Sequence, residues 1–420
     1  MYKSTILILG GGVGGIVTAN HLRKNLPEDY KVILIEKNKE HSLAASYLWL
    51  LVDKRTPSQI SSPLKMLVSI GVEIIYEDIQ KINAEEKFVS LSNRNIKFDY
   101  LVISLGADLE NVELQKDSKG TDVYSFYTLE NSIKLRDRLK NFKGGKIVVM
   151  VSSLPYKCPG APFEAAMLIS DYYKKKSANA EASIFTPEPQ PLPVAGPQLG
   201  QAVIDLLTSK QINFYPHHKI VTVDTLNKEL LFENKNSYAY DLLITIPNHK
   251  APKVVIESGL TNESGLPAGQ AGWIPVDRNN LETKFENVFA IGDITTIQLP
   301  GRWNPDRPMN LPKAGVFAHS QAIFVSDIIS ARLLNKKHPK DFCADGFCML
   351  EAGEELAGFA YGNFYGEPNP DVKLKQLGKI WHISKVLFEK WWLAPIGFTK
   401  ELYKQLMTIG SKLFGVQIKL

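Results

Sequence analysis

Alternating strand and helix signals along the chain predict an α/β protein with parallel sheets. Three observations carry that prediction. A glycine cluster, Gly10-x-Gly12-x-x-Gly15, separates a short apolar run from an apolar-periodic stretch. A second strand–helix cycle of similar layout begins near Lys146. Beyond about residue 340 the pattern stops, glycine and aromatic residues rise, and a basic aromatic tail begins near Lys373.

In the first cycle, Thr5–Leu9 reads as a strand, the stretch reaching Leu26 as a helix, and Lys31–Ile35 as a strand ending at Glu36. This is a βαβ unit with crossover spacing. Tyr100–Ser104 is a further buried-type strand, closed by Gly106. In the second cycle, strands are expected at Ile147–Val151, Ala182–Thr186 and Leu242–Ile246, with helices at Pro162–Lys175 and Leu199–Ser209. Val288–Ile291 then leads as a strand into Gly292–Asp293, and Ala314–Leu334 is a long helical pattern. The expected organisation is therefore two Rossmann-like dinucleotide-binding-type domains plus a C-terminal amphipathic region. The first domain is discontinuous (1–108 with 270–335), the second spans 109–269, and the C-terminal region spans 336–420.

Bulk properties narrow the function classes. A chain of 420 residues exceeds one compact core. Hydrophobic content of 44% and charged content of 22% are ordinary for a globular protein and exclude extensive disorder. The three cysteines, Cys158, Cys343 and Cys348, form neither a zinc pattern nor a disulfide framework. No i, i+4 histidine pair occurs, and no metal site is assigned. No apolar run is long enough to span a membrane, and the apolar start breaks at once into glycines, so no signal peptide is expected.

The glycine cluster has a physical reading. Gly10 permits the tight turn, Gly12 lets backbone approach a pyrophosphate, and Gly15 lets the helix pack on the strand. The helix amides then face the anion, and Glu36 is placed to hydrogen-bond a ribose hydroxyl. Such a loop serves NAD or FAD. The choice falls to Asn287-Val-Phe-Ala-Ile-Gly-Asp293, which resembles the second flavin fingerprint of the two-dinucleotide-binding-domain flavoproteins. That resemblance implies FAD, with Asp293 on the ribityl chain.

At the corresponding place in the second cycle no glycine motif occurs. The loop reads Val149-Met-Val-Ser-Ser-Leu-Pro-Tyr-Lys-Cys158-Pro-Gly-Ala-Pro-Phe-Glu164. Pro155, Pro159 and Pro162 lack amide protons and cannot cradle a phosphate, so a nicotinamide donor is disfavoured. Cys158 precedes a helix start, where the N-terminal field is expected to lower its pKa and favour a thiolate. Glu164 falls in that helix's first turn.

Cys158–Glu164, Gly292–Asp293, Pro312-Lys313-Ala314-Gly315 and Cys348-Met-Leu-Glu-Ala-Gly353 together resemble the sulfide:quinone oxidoreductase family over essentially the whole chain. The flavoprotein subunit of flavocytochrome c sulfide dehydrogenase shares the pattern. The resemblance implies that Cys158 and Cys348 are a redox pair beside the flavin, with Glu164 as a proton-moving acid. It places Lys313 near the flavin's pyrimidine end, and Lys385 with Phe388 in a quinone pocket. A further cysteine found in many members is missing near Phe126-Tyr-Thr128. Cys343 is read as a structural thiol, facing away from Cys348 if both lie on one strand.

From Asp371 to Leu420 nine lysines stand against three acids, a net charge of +6, while the whole chain carries +5. Leu402, Leu406, Ile409 and Leu413 recur at helical spacing, with Lys400, Lys404 and Lys412 elsewhere on the wheel. A basic amphipathic helix suits an anionic membrane surface. The expected partners are sulfide, a membrane quinone and the membrane surface, with a homo-oligomer open and nucleic acid disfavoured. The expected location is peripheral on the cytoplasmic face. The alternatives are a subunit handing electrons to cytochrome c, and a type II NADH:quinone dehydrogenase.

Overall fold

The computed structural model describes residues 2–110, 122–261, 272–337 and 339–416. The expected boundary at residue 270 and the last four residues of the basic tail lie outside them.

The apolar run after Lys3 forms β1 (Ser4–Leu9), followed by the glycine turn, α1 (Val13–Asn25) and β2 (Tyr30–Ile35). With β3 (Val72–Ile75) and β4 (Tyr100–Ile103), these strands begin one parallel sheet. The second sheet is built from β5 (Val123–Tyr124), β6 (Gly145–Val151), β7 (Ala180–Phe185), β8 (Asn213–Tyr215) and β9 (Leu242–Ile246). Its order is β5–β9–β6–β7–β8, parallel throughout. The chain then returns to the first sheet through β10 (Val288–Ala290), giving the order β10–β4–β1–β2–β3.

Both central strands, β1 and β6, are buried on both faces, which is why they read as continuous apolar runs rather than alternating ones. Ile6, Ile8 and Phe289 pack under α1 and the long helix Gly315–Leu333, and Leu7, Leu9 and Trp273 fill the opposite face. Two helices flank β6 and β7 in sequence: α2 (Ala161–Lys175) and α3 (Pro197–Ser209). The expected element limits hold to within about two residues at each end.

Past residue 340 the chain forms an antiparallel meander, β11 (Asp345–Gly353), β12 (Leu356–Asn363) and β13 (Asp371–Gly378). Helices α4 (Lys379–Leu393) and α5 (Phe398–Leu413) follow. The strand period of two divides this sheet into two faces. Phe347 and Phe359 face the α4 side, where Phe359 stacks on Trp381 at 4.6 Å. Cys348, Leu350, Ala360 and Leu374 line a cavity against α3 on the other side. Cys343 lies ahead of β11, not on it, so the strand argument for its orientation fails. Its thiol is exposed and points to the Asp341 carbonyl at 3.7 Å. Among the described residues no helix is long and apolar enough to cross a membrane.

Candidate active site

The loop after β1 is shaped by what a side chain would strike. A Cβ on Gly15 would stand 1.8 Å from the Gly10 carbonyl oxygen, and Gly10 itself needs φ +97°. Gly12 differs: a Cβ there meets nothing within 4 Å. It therefore faces open space at the start of α1, a helix with no side-chain cap and no acid in its first turn. Free amides at a helix N-terminus attract an anion. Glu36 closes the other side, its carboxylate accepting from the Gly11 amide at 2.7 Å and the Asn38 amide at 2.8 Å. Gly106, at φ +68°, also opens onto empty space. These residues fit a dinucleotide.

Gly292 and Asp293 follow β10, as expected, with Gly292 at φ +75°. The Lys313 ammonium donates to the carbonyls of Asp293 at 2.6 Å and Thr295 at 2.9 Å, and lies 3.6 Å from the centre of the Trp273 ring. Burial pushes its pKa down to about 7, against the opposing pull of Asp293. The Lys313 carbonyl in turn accepts from the Cys158 amide at 2.7 Å. One residue thus ties the Asp293 turn to the cysteine loop.

The loop after β6 is held by neighbouring segments. The Tyr127 hydroxyl donates to the Lys157 carbonyl at 3.0 Å, and the Tyr156 hydroxyl to Glu188 at 2.8 Å. Cys158 sits at φ +55°, a conformation uncommon outside glycine. Glu164 starts α2 as expected and is buried. It accepts from the Glu351 amide at 2.8 Å and from Lys385 Nζ at 2.5 Å.

Cys348 arrives from β11. Its Sγ lies 3.9 Å from where a Cβ on Gly160 would stand, so the two motif cysteines, 190 positions apart in sequence, share one site. Both thiols open onto accessible space, yet protein packs around their other sides. Burial pushes each thiol up to about 12, Glu164 pushes the same way, and Lys385 opposes. The expected lowering at a helix N-terminus is therefore wrong for Cys158: desolvation and a neighbouring carboxylate outweigh the helix field.

Lys385 belongs with the cysteines as much as with Phe388. Its ammonium is buried against Glu164, while Phe388 packs on Trp391 and edge-on to Phe347. Burial lowers the Lys385 pKa, and Glu164 and Glu351 more than reverse this, leaving it raised. The cavity against α3 has a volume of about 380 Å³ and reaches Cys348 and Leu350.

Several residues were missed in the sequence. Glu351, fully buried, accepts from His382 Nδ1 at 2.9 Å. Its signal was an acid inside a strand pattern three residues after Cys348. Tyr127, Tyr156 and Glu188 gave no signal, because their contacts join segments distant in the chain.

The fold and the thiol-bearing loop define a redox enzyme of the nucleotide–disulphide type. The chain belongs to the pyridine nucleotide-disulphide oxidoreductase family, whose pattern matches residues 4–318. It is 25% identical over 403 residues to the sulfide-quinone reductase of Aquifex aeolicus, covering 93% of this chain and 90% of that protein. It is 26% identical over 402 residues to the mitochondrial sulfide:quinone oxidoreductase of Dictyostelium discoideum, covering 88% and 81%. The crystal structure of the Aquifex aeolicus sulfide:quinone oxidoreductase superposes with a TM-score of 0.81 at 23% identity, covering 100% of this chain and 96% of that one. The family resemblance drawn from the cysteine motifs is met by these relatives.

Proposed function

We propose that the protein oxidises sulfide to zero-valent sulfur at Cys158 and Cys348 and passes the electrons through FAD to a membrane quinone. The observation that carries this reading is the convergence of two chain-distant cysteines on one buried acid–lysine pair, Glu164–Lys385. The named relatives support the same donor and acceptor.

The amides following Gly12 would hold the FAD pyrophosphate, Glu36 a ribose, and Asp293 the ribityl chain, with Gly10, Gly15, Gly106 and Gly292 allowing the backbone its close approach. Lys313 would offset negative charge at the flavin's polar end. Bound FAD supplies a two-electron carrier between sulfur and quinone.

With the two cysteines joined as a disulfide, hydrosulfide is the nucleophile. It breaks a Cys158–Cys348 disulfide, forms a new S–S bond to one sulfur, and releases the other as a thiolate. The Lys385 ammonium stabilises that negative charge, and Glu164 takes or returns the proton. Phe388 and Lys385 serve the quinone. The organisation into a discontinuous FAD domain, a second Rossmann-like domain and a C-terminal quinone region follows the same division of labour.

The C-terminal region docks on a membrane surface. On α5, Phe398 is 84% exposed, Ile409 57% and Leu413 77%, an apolar stripe with no partner among the described residues. Lys400 is not on the solvated face as expected. Its ammonium donates to the carbonyls of Trp391, Trp392 and Ala394, and burial lowers its pKa to about 8.

Sulfide-dependent reduction of decylubiquinone by the FAD-loaded protein tests the chemistry. Full activity in Cys158→Ser and Cys348→Ser would refute it. Leu406→Asp with Ile409→Asp is expected to cut binding to anionic vesicles at least about tenfold with unchanged thermal stability.

A further inference from the structure

Sulfide oxidation by a quinone does not balance in protons when hydrosulfide is the donor. Two electrons leave sulfur for the quinone: HS⁻ + quinone + H⁺ → S⁰ + quinol. Each turnover therefore draws one proton from solvent, and the buried site must import it.

The inner donor is Lys385, which is 7% exposed and ion-paired to Glu164. His382 stands one helical step away on α4, and His382, Lys385 and Phe388 recur every three residues along the same side of that helix. The His382 side chain keeps 15% of its surface exposed, whereas its partner Glu351 keeps none. Both carboxylate oxygens of Glu351 lie within 3.0 Å of His382 Nδ1. Burial pushes the Glu351 carboxyl up, but the His382 hydrogen bond and the Lys385 charge bring it below the usual range. The Glu351 carboxylate accepts from Nδ1–H, and in that tautomer Nε2 is the ring's acceptor.

Trp49 and Arg55 close the cluster on the side that His382 does not open. Trp49, 1% exposed, presents its ring to His382 at 5.8 Å and to Lys385 Nζ at 5.6 Å. Arg55 covers the same ring at 4.7 Å and is itself held by Glu389 at 2.7 Å. From α2 the charged group facing the cluster is Glu164, and from β11 it is Glu351 with the Cys348 thiol. Two carboxylates thus face one lysine.

We propose that the Glu351–His382 pair is a proton-supply relay that recharges Lys385 from solvent during quinone reduction. His382 Nε2 takes the incoming proton and Nδ1–H passes to Glu351; Lys385, which pairs directly with Glu164 and feels Glu351 only through its charge, is recharged from Glu351 across a bridging water. His382 and Glu351 are positioning residues, since they act through Lys385. The inference rests on the quinone reading above.

The test uses FAD-loaded enzyme turning over sulfide and decylubiquinone. In His382→Ala, kcat is expected to fall about tenfold or more, the loss growing as pH rises, with the sulfide KM unchanged. Added imidazole is expected to restore kcat, because the lost ring was partly open to solvent. A second readout needs no turnover: nitrogen-15 NMR of the resting enzyme should show His382 protonated on Nδ1, and the proton should move to Nε2 in Glu351→Leu. Unchanged kcat in His382→Ala, a loss that imidazole does not repair, or an Nε2–H ring in the unaltered protein would each overturn the relay. If the unaltered protein makes no quinol from sulfide, the quinone reading itself fails and takes the relay with it.

Discussion

The loops after β1 and β6 occupy the same place in two sheets of the same kind, and they do opposite things. The first leaves the N-terminus of α1 uncapped and faces Gly12 into open space. The second has its polar groups taken up by the surrounding protein: Lys157 by Tyr127, Tyr156 by Glu188, and the Cys158 amide by Lys313. One loop offers donors to a ligand, and the other offers a thiol. A parallel sheet fixes where its loops emerge, but loop chemistry decides what they hold.

The largest effect that would break this contrast comes at Gly12. Because its Cβ would touch no protein atom within 4 Å, Gly12→Val should fold normally. It should nonetheless lose FAD, with flavin per chain on purification falling at least about tenfold, as expected when backbone approach to the pyrophosphate is blocked. Retained flavin, read from visible absorbance, would show that the loop does not carry the cofactor.

The next effect sharpens the second loop. Burial pushes the Glu188 carboxyl up to about 7, although Tyr156 and Thr186 pull it down. Its folded pKa lies above the unfolded value of about 4.3. The stability it contributes is therefore complete below about pH 4.3 and lost as pH rises through about 7. Glu188→Gln keeps an acceptor for Tyr156 without the buried charge. It should be more stable than the unaltered protein by about 2–3 kcal/mol at pH 8, and equal to it near pH 4. Denaturant midpoints at the two pH values check this.

The smallest effect belongs to Tyr127. Removing its hydroxyl leaves the part-buried Lys157 carbonyl short of a donor, so Tyr127→Phe should cost about 1 kcal/mol. Urea unfolding measures it.

Most of the scaffold was legible in the sequence because parallel strands buried on both faces read as apolar runs, as at Ile147–Val151, and because glycine turns punctuate them. The motif cysteines and Glu164 were legible as residues, and their meeting came from the family resemblance. What local reasoning got wrong was the field at Cys158. A helix N-terminus is visible in sequence, but the packing that overrides it involves β11, folded in from about 190 residues away. The resemblance placed Lys385 with Phe388 at the quinone, and the sequence held no sign of its ion pair with Glu164. Glu351 and His382 became a pair only when β11 packed against α4.

The central claim is that the second loop has exchanged a nicotinamide site for a sulfur-reactive thiol. Stopped-flow mixing of the oxidised, FAD-loaded protein with sulfide, and separately with NADH, tests it most directly. Rapid loss of flavin absorbance with sulfide and none with NADH is the expected result, and rapid bleaching by NADH with none by sulfide would contradict it.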